Sequence, residues 1–532
     1  MPTKRRLVMK KHFKILAAVL AVMMVIAMTA GCAKDTSTSG ENTISWWITN
    51  NVSSIVKSYD ELPAMAAIEE ATGIDIEFFH PAVGSDTEQF NIMCASGVFK
   101  DIVTYNWNGY TGGPVQAARD GAILVLDEYL EKEMPNFYSQ MQENAELNYL
   151  ARAYDGSVCV IPSYTTDRIT TATFGPAMRK DWLDKLGLEV PTTISDWYKV
   201  LTAFKTQDPN GNGLADEIPF VADQTATFER LSRAWDGVES HFYINGDNKV
   251  AYGFIQPDFK DFLTEMNKWY KEGLLDNEYA ATNESVRNQK MVSGVGGSFI
   301  GYAGSGMSKF VLGGRETNPD FDMIGVQWPT HKGEGPFCGY SYQASIGTAG
   351  KGMAISAKVA DPAKVLNFID YLFGDEGTAF INWGIEGDTY TVDADGNKTF
   401  TDKILKNPDG KTPVEAISEY AMTQYGMARS DADAYMQVNQ AIPQQQVAME
   451  LWNQADVSRI FSGILVTPEE QDELTKVLDD VLTYRSEWMN KFVMGIEPLE
   501  KFDEVANNIK KLGIEKATAI YQTAYERKLA TK

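Results

Sequence analysis

Residues 43–105 decide the fold, because short strand-like and helix-like segments alternate there: TISWWI (43–48), ELPAMAAIEEAT (61–72), IDIEFF (74–79), DTEQFNIMCAS (86–96) and DIVTY (101–105). The segments rich in Ile, Val, Trp and Phe have the length and composition of strands. Between them, apolar side chains recur at helical spacing, and Gly73 and Gly97 end the two helices. This alternation predicts an α/β fold with a mostly parallel sheet that helices cover on both faces.

A second unit of the same kind follows Ile161, and the last third of the chain is largely helical. The predicted elements of the second unit are helices at 179–186 and 195–205 and strands at 292–302 and 322–327. The motif TPEE (467–470) is a capping box that opens a helix ending at Gly495. Amphipathic helices at about 498–512 and 514–529 are predicted to finish the chain.

Two lobes are expected, because the chain is too long for one hydrophobic core. Glycine-containing segments at 154–162 and 330–336, and a further point near Trp383, are the predicted crossings between lobes. Lobe 1 would then contain residues 43–160 and 337–382, and lobe 2 residues 161–330 and 383–532. Lobes that several crossings join can close over a ligand in the cleft between them by hinge bending.

The first 42 residues predict secretion and lipid anchoring. Residues 1–31 combine six basic residues, an uncharged apolar run and small residues before Cys32, which is the pattern of a cleaved signal peptide. Cys32 directly follows Ala30-Gly31, as in a bacterial lipobox, and is the predicted lipidation site; residues 33–42 would be a flexible tether. The protein is therefore expected at the extracellular face of the bacterial cell membrane, held there only by its lipid anchor. The alternative is an ordinary cleaved signal with a coincidental cysteine.

The net charge of the chain excludes two classes of partner. The chain carries 72 acidic against 48 basic residues. Such an acidic protein is repelled by nucleic acid and by anionic lipid, so neither is expected as a partner.

The remaining cysteines, Cys94, Cys159 and Cys338, are too few and too scattered for a disulfide scaffold, so buried free thiols are predicted. We expect a monomer.

The segment DPNGNGLADE (208–217) has the pattern of a calcium-binding loop. Oxygen-bearing side chains fall at loop positions 1, 3, 5 and 9, a glycine occupies position 6, and position 7 can offer its backbone carbonyl. Position 12 is Pro219 where an EF-hand has glutamate, so an acid at position 10 would complete the shell. The predicted ligands of a structural Ca²⁺ are Asp208, Asn210, Asn212, Leu214, Asp216 and Glu217. The alternative is a turn that binds nothing, because Asn, Asp and Gly also serve turns.

One block of this sequence resembles a known family. MRKDWLDKLGLEVPT (178–192), followed by Trp197 and DPNGNGLADEIP (208–219), is similar to the solute-binding lipoproteins of bacterial ABC importers, above all the alginate- and fructo-oligosaccharide-binding members. Weaker matches occur in the same order as in the family: ASGVFKDIV (95–103), YDG (154–156), IP (161–162), DPAKVL (361–366) and WGIEG (383–387).

The resemblance implies a periplasmic-binding-protein-like α/β fold: two lobes with mixed or parallel sheets flanked by helices, a hinge, an interlobe cleft and a helical C-terminal part. It further implies that the loop at 208–217 holds calcium, as the equivalent loop does in alginate-binding relatives. Its implied partners are an oligosaccharide ligand and the permease subunits and ATPase of an ABC transporter.

Aromatic residues beyond strand ends are candidates for contact with a sugar, because sugar rings present apolar faces and a rim of hydroxyls. The predicted ligand-binding residues are Trp47, Tyr105, Trp107, Asn108, Trp235, Tyr302, Trp328, Tyr340 and Trp383. For each aromatic, packing in the core is at least as good an explanation. Arg168 and Arg233 could hold a carboxylate if the ligand is acidic.

A binding protein is favoured over an enzyme. The chain has four histidines, lacks HExxH and GxSxG motifs and lacks a phosphate-binding glycine loop, so no catalytic residue is predicted. A surface-anchored glycoside hydrolase remains an alternative, because two cleft carboxylates would suffice and cannot be excluded by counting. A peptide-binding importer subunit is the other alternative.

Overall fold

The computed structural model describes residues 42–409, 411–423, 427–439 and 442–530. The predicted signal peptide, Cys32 and all of the tether except Asn42 lie outside these ranges. Among the described helices, none combines the length and the apolar character that spanning a membrane requires.

The larger sheet has six strands in the order β13-β4-β10-β3-β1-β2. Its strands are β1 (Thr43–Ile48), β2 (Asp75–Phe79), β3 (Ile102–Asn106), β4 (Ile161–Thr165), β10 (Gly347–Ile355) and β13 (Arg429–Ser430). β1 pairs with β3 in parallel, with Trp46 opposite Ile102, whereas β10 runs antiparallel to both β3 and β4. β1, β3, β4 and β13 therefore run in one direction, as predicted for a mostly parallel sheet. The sheet is mixed because β10 enters between β3 and β4 in the opposite direction.

A second sheet has three strands in the order β8-β5-β9, and both pairings are antiparallel. Its strands are β5 (Phe174–Arg179), β8 (Ser298–Tyr302) and β9 (Met323–Gly325). The strand predicted at 292–302 begins only at Ser298, because a helix ends at Val292. Two hairpins complete the strands: β6 (Phe242–Ile244) with β7 (Val250–Tyr252), and β11 (Tyr390–Val392) with β12 (Lys398–Phe400).

Helices surround both sheets, and most predicted helices lie within two residues of their expected ends. In the first half they are Pro63–Thr72, Asp86–Ser96, Gly113–Arg119, Leu130–Glu133, Pro135–Glu143, Ala145–Ala151, Lys180–Leu186, Ile194–Thr206, Thr225–Phe228 and Pro257–Lys271. In the second half they are Glu284–Val292, Lys309–Arg315, Pro362–Phe373, Asp375–Trp383, Asp402–Leu405, Pro413–Ile417, Ala432–Val438, Pro443–Asn453, Pro468–Val493, Phe502–Lys511 and Ile514–Ala530.

The helix Pro468–Val493, called the long helix below, begins as its sequence predicts. Thr467 Oγ1 accepts from the backbone N–H of Glu470, and a carboxylate oxygen of Glu470 accepts from the N–H of Thr467, 2.9 Å away. These two bonds satisfy backbone groups that a helix start otherwise leaves unpaired. The long helix buries Leu474, Val477 and Val481 in a core that it shares with the last two helices.

Two groups of hydrophobic cores divide the described chain, and we use them to define the lobes. Lobe 1 draws its cores from residues 44–164 and 346–438, and lobe 2 from residues 177–338 and 442–517. The chain thus passes between the lobes near 165–174 and near 338–346, and Val438 and Ile442 belong to cores of different lobes.

Segment boundaries differ from the prediction in two places. Ile161–Thr165 lies in the sheet of lobe 1, where β10 and β13 flank it, rather than opening lobe 2. The segment 383–438 also belongs to lobe 1, because Trp383 packs with Tyr390 and Phe400 in a core that includes Ala64. The crossings predicted at 154–162, at 330–336 and near Trp383 are therefore displaced along the chain.

Candidate functional site

A cavity of about 790 Å³ lies between loops of lobe 1 and the segment that leads into the long helix. Its walls come from residues 108, 110–114, 151–154, 159–160, 340–342, 345, 347–350, 461–468 and 471–472. The first wall follows β3, at the carboxyl end of a strand, where open α/β sheets commonly bind ligands. Its volume is in the range typical of small-molecule sites.

The lobe 1 wall depends on a close contact between two loops. Asn108 Nδ2 donates to the backbone carbonyl of Ala349 at 3.0 Å. A Cβ atom on Gly350 would come within 2.5 Å of Asn108 Oδ1, and Gly350 has φ +72°, so both space and backbone conformation require glycine there. The loop after β3 and the start of β10 are thereby held together as one wall.

An aromatic cluster supports the cavity wall at the second crossing, where Tyr340 is its lining member. Tyr340 stacks on Phe174 with ring centroids 4.6 Å apart, and its hydroxyl lies 3.0 Å from that of Tyr302. The guanidinium of Arg230 lies 4.8 Å from the Phe174 ring centroid and donates to the carbonyl of Gly339. Burial raises the pKa of Tyr340, so its hydroxyl stays neutral and can both donate and accept.

The wall contributed by residues 461–467 is attached to lobe 2 and to the last helix. Phe461 packs against Phe242 and Tyr521, with centroid distances of 6.0 and 5.1 Å. Arg527 donates to the backbone carbonyl of Leu465 and pairs with Glu470 at 2.6 Å. The C-terminal helix therefore positions this wall from behind.

Of the nine predicted ligand-binding residues, the structure places Asn108 and Tyr340 on the cavity wall. Tyr302 contacts Tyr340 and is 45% exposed. Tyr105 is half-buried, with its hydroxyl 2.8 Å from Thr87 Oγ1. These two lie outside the lining.

The five predicted tryptophans are at most 5% exposed: Trp47, Trp107, Trp235, Trp328 and Trp383. Trp107 donates its indole N–H to the carbonyl of Val103, and Trp383 donates to Asp431 at 2.9 Å. Their large apolar surfaces are used in core packing, and none of them is among the residues that line the cavity.

Four aromatic residues of the wall were missed by the sequence reasoning: Tyr110, Tyr154, Tyr342 and Phe461. Tyr110 could have been found, because it lies only four residues beyond the end of β3. Tyr342 follows Tyr340 at the second crossing. Phe461 had no local signal, because its position depends on packing between distant segments.

The loop at 208–217 is folded around its acidic side chains. Asp208 accepts from the backbone N–H groups of Gly211, Asn212 and Gly213 at 2.9–3.1 Å. The side-chain amides of Asn210 and Asn212 both donate to Asp216. Leu214, at position 7, is 61% exposed.

Glu217 is the residue of this loop that suits a cation best. It is 1% exposed, and its Oε1 atom is buried without a hydrogen-bond partner. Burial, reinforced by the charges of Asp216 and Asp208, raises the pKa of Glu217. An unpaired buried carboxylate oxygen is costly unless a donor or a cation meets it.

In the loop at 208–217, the side chains of Asp, Glu, His and Cys are not placed to coordinate a metal ion by themselves. Within the described ranges, no group of three or more of them is placed to hold a metal ion. A cation in this loop would also need amide and carbonyl oxygens, which are the ligands that calcium accepts and that Asn210, Asn212 and Leu214 supply. The donor set therefore fits Ca²⁺.

Comparison with known proteins decides the family. The family of bacterial extracellular solute-binding proteins matches residues 53–379, which is more than half of the chain. The chain belongs to this family.

Individual relatives agree along most of the sequence. Lipoprotein LipO of Bacillus subtilis is 28% identical over 422 residues, which cover 77% of this chain and 79% of LipO. The fructooligosaccharide ABC transporter substrate-binding protein FusA of Streptococcus pneumoniae is 25% identical over 502 residues, covering 90% of this chain and 89% of FusA.

Solved structures share the fold. The alginate-binding protein AlgQ2, solved without calcium ion, aligns with a TM-score of 0.68 at 24% identity over 93% of this chain and all of AlgQ2. FusA in complex with kestose aligns with a TM-score of 0.70 at 21% identity over 92% of this chain and all of FusA. The predicted periplasmic-binding-protein-like fold, with mixed sheets flanked by helices and a helical C-terminal region, is confirmed.

Proposed function

We propose that this protein binds an oligosaccharide in the cavity between its lobes and delivers it to the permease of an ABC importer. The observation that carries the proposal is the cavity itself, about 790 Å³ in volume and lined by tyrosines, hydroxyls and amides. The related FusA, which is a fructooligosaccharide-binding transporter subunit, supports the same ligand class.

The chemistry of the wall suits a sugar. Tyr110, Tyr154, Tyr340 and Tyr342 offer flat apolar rings that end in hydroxyls. Asn108, Thr348 and the backbone of the glycine-rich loops supply further donors and acceptors. A polyhydroxylated ligand could therefore bury its rings while few of its hydroxyls stay unpaired, which is the condition for binding polar groups away from water.

The side chains of the cavity wall support ligand binding better than they support glycoside hydrolysis. Glycoside hydrolysis generally needs two carboxyl groups on either side of the bond. Among the described residues that line the cavity, Asp472 is the one carboxylate. Binding without cleavage is therefore our preferred function.

Native mass spectrometry against mixed libraries of oligosaccharides and peptides tests this proposal. We expect a complex of one protein with one intact oligosaccharide. A peptide complex without any saccharide complex would contradict it, and so would products shorter than the sugars supplied.

We propose further that the loop at 208–217 binds a structural Ca²⁺ through Asp208, Asn210, Asn212, Asp216, Glu217 and the carbonyl of Leu214. The orphaned oxygen of Glu217 supports it. A bound ion would replace the hydrogen bonds that the Asn210 and Asn212 amides donate to Asp216. Through Glu217 it would also connect the loop to the segment at Ile218, which pairs with Gly296.

Thermal unfolding in calcium, magnesium or chelator tests the metal proposal. At a calcium concentration 100 times its dissociation constant, stabilisation of about 2.7 kcal/mol is expected. Glu217→Gln should remove most of this effect, whereas Asp395→Asn, in the exposed turn between β11 and β12, should leave it unchanged. Identical melting in calcium and chelator would contradict the proposal.

Lipid anchoring at Cys32 completes the proposed function, since a tethered binding protein stays near its permease. Its support is the leader sequence and the related lipoprotein LipO. Cell fractionation tests it: Cys32→Ala should release the protein from the membrane fraction, and Cys94→Ala should not. Unchanged membrane retention of Cys32→Ala would contradict the anchor.

A further inference from the structure

The charged side chains around the cavity disfavour the binding of an anionic ligand. Among the described residues of the lining, Arg152 is the one cation. Its guanidinium donates to Asp127 at 3.3 Å, to the carbonyl of Gly156 at 2.7 Å and to Asn148 at 3.0 Å. Its charge is thus paired with Asp127, and its Nε and Nη1 donors are already engaged by the protein.

Four further cations, Arg168, Arg233, Lys528 and Arg230, also have partners within the protein. Arg168 pairs with Glu146, and Arg233 is buried and pairs with Glu239. Neither is among the residues that line the cavity, so neither is placed to hold a ligand carboxylate there. Lys528 donates to the backbone carbonyl of Ser462 at 2.8 Å. Arg230 lies against the rings of Tyr340 and Phe174 and bonds the carbonyl of Gly339.

The start of the long helix also borders the cavity, through Thr467, Pro468, Gln471 and Asp472. A helix start ordinarily attracts anions through its unpaired N–H groups and its dipole. Here the capping box takes up the backbone N–H groups of Thr467 and Glu470. Glu469, Glu470 and Asp472 supply the negative charge from within the chain.

Asp472 is the member of that group that lines the cavity, and its side chain is exposed. A ligand carboxylate entering beside it would meet a like charge, in a site whose one lining cation among the described residues, Arg152, is already paired with Asp127. Like charges in a partly buried site repel strongly enough to affect selectivity.

We propose that this site selects uncharged oligosaccharides and disfavours uronate-containing ones, with Asp472 as a residue that determines this specificity. The inference rests on the proposed function. It separates this chain from the alginate-binding protein that shares its fold, because alginate is a polyuronate.

The test compares three forms of one sugar by calorimetry at low salt. The first is the neutral tetrasaccharide that binds best among those built of glucose, mannose, galactose or fructose. The second is the same sugar with a primary hydroxyl oxidised to a carboxylate, and the third is the methyl ester of that acid, which keeps the added atoms without the charge. If the four neutral tetrasaccharides bind too weakly to choose between, tetragalacturonate and its methyl ester replace the second and third forms.

We expect the carboxylate form to bind at least tenfold more weakly than its methyl ester. Asp472→Lys should recover about threefold to tenfold of that loss, with a recovery that shrinks as salt rises. Asp480→Lys makes the same charge change on an exposed residue of the same helix, outside the lining, and should recover much less.

Equal or tighter binding of the carboxylate form would overturn the inference while leaving oligosaccharide binding intact. Equal recovery by Asp472→Lys and Asp480→Lys would overturn the role of Asp472. Absence of binding by every saccharide, charged or neutral, would instead overturn the proposed function on which the inference rests.

Discussion

At the residue scale, Tyr340 is the side chain whose removal should weaken ligand binding most clearly. It lines the cavity, stacks on Phe174 and lies 3.0 Å from the hydroxyl of Tyr302. Tyr340→Ala removes both the ring surface and the hydroxyl, and we expect at least a tenfold loss of saccharide affinity, about 1.4 kcal/mol. Tyr340→Phe keeps the ring and should lose less. Calorimetry measures both losses.

Tyr525→Ala is the matched control, because Tyr525 lies on the C-terminal helix, bonds Asn248 and is absent from the lining. A tyrosine-to-alanine change there should leave affinity within a factor of two. Equal saccharide affinity of Tyr340→Ala and the wild type would show that Tyr340 does not contribute to ligand binding.

His241 should make the protein less stable in mild acid. Burial and the neighbouring Arg485 lower the pKa of His241 from 6.5 to about 4. The unfolded chain therefore takes up this proton at a higher pH than the folded one, so stability falls as pH falls. Between pH 7 and pH 5 the loss should be about 2 kcal/mol.

Denaturant unfolding of the wild type and His241→Gln at both pH values measures this contribution. The variant should show the smaller decrease between pH 7 and pH 5, because glutamine takes up no proton. The same decrease in both proteins would show that His241 is not responsible.

The sequence was sufficient to predict the role of some residues but not of others. The oxygen pattern at 208–217 is local, so the spacing of Asp208, Asn210, Asn212 and Asp216 could be recognised without tertiary information. The tryptophans could not be assigned in that way, because an indole beyond a strand end serves a cavity or a core equally well. For Trp107 and Trp383, contacts with residues distant in sequence decide in favour of the core.

At the element scale, the start of the long helix should depend on Thr467. Its hydroxyl accepts from the N–H of Glu470 as half of the capping box. Thr467→Ala should cost about 1 kcal/mol of unfolding free energy, because the helix start loses its side-chain cap. Denaturant unfolding measures the change.

Thr475→Ala, one residue after Leu474 on the exposed side of the same helix, provides the comparison. Alanine is the better helix former, so this change should be neutral or slightly stabilising. Equal destabilisation by both substitutions would show that the capping box contributes nothing specific.

Elements with a strong local signal were predicted well and those without one were not. β1 and the helix Asp86–Ser96 have their predicted ends, and the long helix begins with its predicted capping box. β10 was missed because GTAGKGMAI is rich in glycine, which is usually unfavourable in strands. β13 is only two residues long, so its pairing with β4 leaves almost no pattern in the sequence.

At the scale of the whole molecule, ligand binding should draw the lobes together. Each lobe has cores of its own, assembled from two stretches of chain, and connections near 165–174 and 338–346 join them. Because the cavity lies between parts of both lobes, closure around a ligand would shield it from water. Small-angle X-ray scattering should therefore report a smaller radius of gyration with saccharide than without it. An unchanged radius at saturating ligand would argue for a preformed rigid site.

Two lobes could be predicted from chain length and from the alternation of strands and helices, but their exact composition could not. Residues 383–438 pack on lobe 1 because Trp383 meets Tyr390 and Phe400 beside Ala64, more than 300 residues earlier in the chain. Such pairings are set by tertiary contacts, for which local periodicity gives no information.

Calorimetric titration of the purified protein with neutral oligosaccharides tests the central claim most directly. The account predicts saturable binding of one saccharide per chain, with no shortening of the sugar recovered afterwards. Heat from a peptide but from no saccharide, or recovery of a cleaved sugar, would contradict it.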